Sequence, residues 1–184
     1  NIIQTSTFSA NEPKLSAFGI TDISSLETIN YNAAFVVRKA IDEFREKTSS
    51  KRVILSAGNL GPTGKLMEPF GDLSYKKAVE VFHRQADYLA STGIVDIFLI
   101  ETMMDLNEAL AAIEAVKLTD KNAAIICMMT FNENGVTLMG NKAEDALKTM
   151  LEAGATIAGA NCSVGSDKMI EVVKRMRQSD KEAK

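Results

Sequence analysis

Proline and glycine are scarce, at 3 and 11 of 184 residues, which argues against a low-complexity or disordered chain. Cysteine is scarcer still. Cys127 and Cys162 cannot build a disulfide framework, and they suit a reducing compartment. No apolar run approaches the roughly 18 residues of a membrane span and no signal peptide opens the chain, so the expectation is a cytoplasmic protein without a membrane partner. A net charge of −3 gives no reason to expect nucleic acid. The single histidine, His83, has no cysteine or histidine at metal-ligand spacing and is expected at the surface of a charged helix. What is present is apolar material: 46% of the residues are hydrophobic, enough for one sizeable core. The chain opens on Asn1 inside a strand-like run rather than on methionine, so an excerpt or processed product is expected.

Short β-branched runs alternate with longer stretches of helical periodicity. Strands are expected at Asn1–Thr5, Arg52–Ala57, Val95–Ile100, Ala123–Thr130 and Thr156–Ala160. Helices are expected at Ser25–Lys47, Leu73–Thr92, Asp105–Leu118, Lys142–Ala153 and Asp167–Gln178. In the first helix Leu26, Ile29, Ala33, Val36, Val37, Ala40, Ile41 and Phe44 form an apolar stripe, with Ser24 or Ser25 as N-cap and Glu27 completing a capping box. Gly93 and Gly154 lie just past helix ends, where a left-handed residue commonly terminates a helix. The strands are largely apolar rather than alternating, which favours a parallel sheet buried on both faces. An open doubly wound sheet and an eight-stranded barrel both satisfy this pattern. No Gly-rich dinucleotide fingerprint follows the first strand, which weakens the former. A closed barrel needs about 250 residues, so five strands would be part of one.

In parallel α/β proteins the active site gathers at the C-terminal strand ends. Those ends read Thr5-Ser6-Thr7-Phe8, Gly58-Asn59-Leu60-Gly61-Pro62-Thr63-Gly64, Glu101-Thr102, Thr130-Phe131-Asn132 and Asn161-Cys162-Ser163. One polar strand end is ordinary loop chemistry; five together point to a polar rim. Glu101 follows an unbroken apolar run, and a partly enclosed carboxylate needs a cation such as a substrate ammonium. The alternative is an acid serving a helix N-terminus. Cys162 is either a thiolate nucleophile or metal ligand, or a small buried hydrophobe. Cys127, inside a strand among Ile and Met, reads as core. Gly58–Gly64 lacks phosphate-loop spacing, since Leu66 follows Lys65 where a hydroxyl is needed.

In this order and spacing, the segments Gln4–Phe8, Gly58–Gly64, Glu101–Asp105 and Gly159–Cys162 resemble the homocysteine S-methyltransferase family. Met129-Thr130-Phe131 with Gly135 and Leu138-Met139-Gly140 adds to the likeness, which covers nearly the whole chain. The resemblance implies part of a (β/α)8 TIM barrel, strands 2 to 6 of 8, in a single domain over residues 1–184 truncated at both ends. It implies transfer of a methyl group to the homocysteine thiolate, with zinc held by three cysteines. Cys162 maps to one of these. The adjacent Cys-Cys pair of the family and its Asp-Gly motif are absent from this sequence. Glu101 maps to the glutamate that binds the substrate amino group, and Asn161 precedes the metal ligand. Thr5, Ser6 and Thr7 correspond to the substrate loop, with Ser6 where many relatives have Asn and Ser9 where many have Gly. The Gly-Pro-Thr-Gly loop and the Glu-Thr-Met-Met-Asp segment look most like the homocysteine module of cobalamin-dependent methionine synthase. The expected donor is therefore methylcobalamin carried by another domain or corrinoid protein, since no Asp-x-His-x-x-Gly motif is present. Gln4–Phe8 also resembles the betaine-dependent branch. The competing expectations are a non-catalytic fragment whose open edges pair with other chains, including copies of itself, and a methyltransferase of the same fold acting on another thiol or on a corrinoid protein.

Overall fold

A computed structural model describes residues 1–183. Its strands are β1 (Ile2–Gln4), β2 (Leu55–Leu60), β3 (Ile97–Met103), β4 (Ile125–Met129) and β5 (Ile157–Ala160). Its helices are α1 (Glu12–Ala17), α2 (Ile23–Thr48), α3 (Tyr75–Ser91), α4 (Leu106–Thr119), α5 (Ala143–Glu152) and α6 (Ser166–Ser179). The five strands form one sheet in the order β1-β2-β3-β4-β5, and every pair is parallel. That order decides between the two architectures. A doubly wound sheet reverses its strand order at a switch point; a barrel adds each strand beside the last.

The two faces of the sheet have different partners. Phe98, Ile100, Cys127 and Met129 join one core with Phe82, Ala86 and Leu89 of α3 and Ala109, Ala112, Ile113 and Val116 of α4. Alternate residues, Ala57, Ile97 and Leu99 with half-buried Leu55, Ala124, Ile126 and Met128, form a second cluster made of strand and strand-flanking residues alone. Such a face is the lining of a barrel interior. Complete burial of Phe82 contributes about 1.5–3 kcal/mol. The alanines of α4 allow it close approach to α3 and to the sheet.

Helices α1 to α4 begin on side-chain caps. Asp22 caps α2 by accepting from Ser25 N at 2.7 Å and Ser24 Oγ at 2.8 Å. Ser24 and Ser25 are thus donors to the cap rather than the cap expected from sequence. The buried stripe of α2 is Leu26, Asn30, Ala34, Val37 and Ile41; Val36 and Phe44 of the expected stripe are exposed. Gly93 and Gly154 adopt φ of 64° and 107°, as helix-ending glycines do. Helix α1 has too few residues to show periodicity and escapes a sequence reading. Its cap, Asn11, accepts from Lys14 N and donates to the carbonyls of Gly61 and Pro62.

Two strand boundaries bear on the site. Strand β2 lies about three residues later than Arg52–Ala57, because Val53 is exposed and Ser56, Ala57, Gly58 and Asn59 are buried in the sheet. Strand β3 runs on to Met103 and therefore contains Glu101 and Thr102. The register against β4 shifts between Ile100 and Met103, so these residues occupy a bulge.

Candidate functional site

Glu101 shares the inner face of the sheet with Leu99, Asn59 and Ile126. Its carboxylate is half-buried and bonded on both oxygens: Asn59 Nδ2 donates to Oε1 at 2.5 Å, and Asn161 Nδ2 donates to Oε2 at 3.2 Å. Both donors are neutral amides. Among the described residues, Glu101 has no cationic partner within ion-pair distance. A partly enclosed carboxylate supported only by neutral donors is suited to receive a cation.

Asn161 connects this carboxylate to Cys162. Beyond Glu101, its Nδ2 lies 2.9 Å from Thr102 Oγ1 and 3.3 Å from Cys162 Sγ, and its Oδ1 accepts from Thr102 N at 3.1 Å. Thr102 Oγ1 is 3.7 Å from the same sulfur. The amide thus grips Thr102 on both its N–H and its hydroxyl. Thr102 has φ of 64°, and Cys162 and Ser163 have φ of 59° and 68°. A β-branched residue at positive φ is a genuine outlier, and such strain, about 1–3 kcal/mol per residue, persists only where surroundings enforce it. Here three such residues meet at one rim, two of them in contact with Asn161.

Of the residues singled out from sequence, Glu101, Asn161 and Cys162 come together. Thr5 and Thr7 are buried, and their hydroxyls, 2.6 Å apart, are used inside the loop. Thr7 Oγ1 donates to Asn59 O at 2.7 Å, and Thr5 Oγ1 accepts from Asn59 N at 3.0 Å. Ser6 between them is exposed. Gln85 of α3 fastens the loop by donating to Thr7 O at 2.9 Å. Asn59 and Thr102 are the residues that sequence reasoning missed as individuals, although both lie inside motifs it quoted.

A second carboxylate, Glu108 in the first turn of α4, is buried behind the Gly-Pro-Thr-Gly loop. It accepts from Thr63 N at 2.8 Å and from Thr63 Oγ1 at 2.6 Å. Burial pushes its carboxyl above the ordinary range, against the lowering effect of those two bonds. Glycine is required in this loop at position 61, where a Cβ would overlap the carbonyl and ring of Phe8.

Zinc, expected from the sequence resemblance, can be tested against these donors. Cys162 is exposed, carries its thiol at the rim, and fits one corner of a tetrahedral set. Cys127 fits none: it lies in the helix-side core, and burial pushes its thiol up to about 12. Among the described residues no group of three or more His, Cys, Asp or Glu side chains converges. Among the described residues, Cys162 could thus fill one position of such a site, not all of them.

Sequential parallel strands, a strand-lined inner face and a polar C-terminal rim define a barrel-type α/β protein with its site at the strand ends. The family model for homocysteine S-methyltransferases matches residues 1–184. The chain belongs to that family. It is 27% identical over 181 residues to betaine–homocysteine S-methyltransferase 1 of Rattus norvegicus, covering 97% of this chain and 40% of that protein. Its fold matches the homocysteine methyltransferase MmuM of Escherichia coli in crystal structures of the oxidized and metallated forms. In both, the TM-score is 0.82 at 16% identity over 96% of this chain and 62% of the other. The chain thus spans less than two thirds of these relatives.

Proposed function

We propose that this chain supplies the amino-acid-binding half of an enzyme that methylates the sulfur of homocysteine, giving methionine. The observation that carries the reading is the continuous cluster Asn59–Glu101–Asn161–Cys162 at the rim of a chain in this family. In this reading Glu101 receives the substrate ammonium, its carboxylate held by two amide donors so that the amino acid docks in one orientation. Asn161 fixes the distance between that carboxylate and Cys162. Cys162 is one ligand of a zinc ion, which when bound favours the thiolate of homocysteine over the thiol at neutral pH. Ser6, exposed between two buried threonines, is the member of its loop open to substrate.

For the donor we retain methylcobalamin, held by a separate corrinoid domain or protein, on the strength of the Gly-Pro-Thr-Gly and Glu-Thr-Met-Met-Asp segments. A betaine-using enzyme is the second reading, favoured by the rat relative that matches 97% of the chain. Assaying methyl transfer to homocysteine from methylcobalamin and from betaine separates them, and activity with betaine alone overturns the first. No helix among the described residues is long and apolar enough to cross a membrane; a cytoplasmic location and self-association belong to the same proposal. The direct test is Cys162→Ser in the full-length protein. Zinc affinity should fall by orders of magnitude, and unchanged zinc affinity would overturn the assignment.

A further inference from the structure

Asn59 is 2% exposed, sits inside β2, and reaches across to β3 to donate to Glu101 Oε1. Two threonine hydroxyls hold its backbone and bond to each other, and the directions of these three hydrogen bonds can be deduced. Its N–H can only donate, so Thr5 Oγ1 accepts it; its carbonyl can only accept, so Thr7 Oγ1 spends its proton there. The remaining bond, between the two threonine oxygens at 2.6 Å, must then run from Thr5 to Thr7. The result is a closed ring that leaves Asn59 N and returns to Asn59 O. The side-chain orientation is fixed as well. Turning the amide over would set Oδ1 against the Glu101 carboxylate, two acceptors facing each other. With Nδ2 on Glu101, Oδ1 is left buried and without a partner among the described residues. The fold thus tolerates an orphaned acceptor while keeping the donor on the carboxylate.

We infer that Asn59 is a positioning residue for Glu101, and that the buried hydroxyls of Thr5 and Thr7 act on substrate through it rather than by contact. The inference rests on the reading of Glu101 as the ammonium-binding group. It gives the loop after β1 a defined role, in which the threonine ring sets Asn59, Asn59 sets one oxygen of the carboxylate, and Asn161 sets the other. The carboxylate is then presented to the substrate already oriented.

The test is a double-mutant cycle on homocysteine affinity in the full-length, zinc-loaded protein. Asn59→Ala should raise the homocysteine Kd about tenfold, the loss of one charge-assisted hydrogen bond, and should add nothing when Glu101 is already alanine. Binding of 4-mercaptobutanoate, which lacks the amino group, should be indifferent to the change. Thr7→Val should act in the same direction, and Thr7→Ser, which keeps the hydroxyl, should restore affinity; this pair leaves Asn59 intact should Asn59→Ala fail to fold. Equal losses with and without Glu101, or equal losses for the two ligands, would show a general structural role and overturn the inference. So would parent-like affinity in both Asn59→Ala and Thr7→Val. Parent-like affinity in Glu101→Ala would instead bring down the reading of Glu101 on which the inference stands.

Discussion

Phe82 and Phe35 are the same side chain on adjacent helices, yet Phe82 is fully buried and Phe35 is 53% exposed. The contrast runs through the molecule. Helices α3 and α4, in the middle, have a helix on each side and the sheet beneath. Helices α2 and α6, at the two ends of the series, have one helical neighbour each among α2–α6. Along with Phe35 and Val36 on α2, Ile170 and Val173 on α6 are exposed, as is all of β1. Most of the exposed large apolar side chains on the helices thus lie at the two ends of the barrel order. The candidate site straddles both regimes: Asn59 and Glu101 stand on central strands, and Asn161 and Cys162 follow β5 at the edge.

The comparison is broken most forcefully at its extremes. Phe82→Ala should cost about 3–5 kcal/mol in urea unfolding, by lost burial and a residual cavity. Phe35→Ala should stay within about 0.5 kcal/mol, as surface substitutions do. Equal costs would mean that Phe35 is covered in solution.

The buried carboxylate of the central layer gives a pH signature. Glu108 holds its proton more tightly folded than unfolded, so between its ordinary value of 4.5 and its raised folded value the native state binds more protons. Its contribution to stability therefore falls as pH rises through that window. Glu108→Gln should flatten this part of the stability profile, and an unchanged slope across it would refute that role for Glu108. At the flank, Ser49 ends α2 with φ of 51°. Ser49→Gly should stabilise by up to about 1 kcal/mol by releasing left-handed strain, visible as a raised Tm. Val36→Lys, on the exposed side of α2, should change Tm least of all.

The same contrast explains what the sequence made legible. Apolar periodicity locates the elements, the helix-ending glycines Gly93 and Gly154 punctuate them, and the rim motifs identify the family. Arg52–Ala57 misplaces β2 because Val53, Ile54 and Leu55 look like a strand. The strand proper carries Ser56 and Asn59, whose partners Asp96, Glu101 and Thr5 lie some forty to fifty residues away. Buried polar residues satisfied by distant ones leave no local signal. Thr102 is hidden for a related reason: nothing in a Glu-Thr pair announces a left-handed threonine until Asn161 is seen to grip it. The hydroxyls of Thr5 and Thr7 could be found from the strand-end rule, but not the fact that they turn inward.

In the proposed site, Glu101 reads the amino group of homocysteine while Cys162 serves the metal, and Asn161 ties the two together. Homocysteine affinity and bound zinc, measured side by side in Glu101→Ala of the full-length protein, test this division of labour most directly. Homocysteine binding should weaken at least tenfold, on the scale of a lost ammonium–carboxylate pair, with zinc retained near the parent level. Parent-like homocysteine affinity would contradict it.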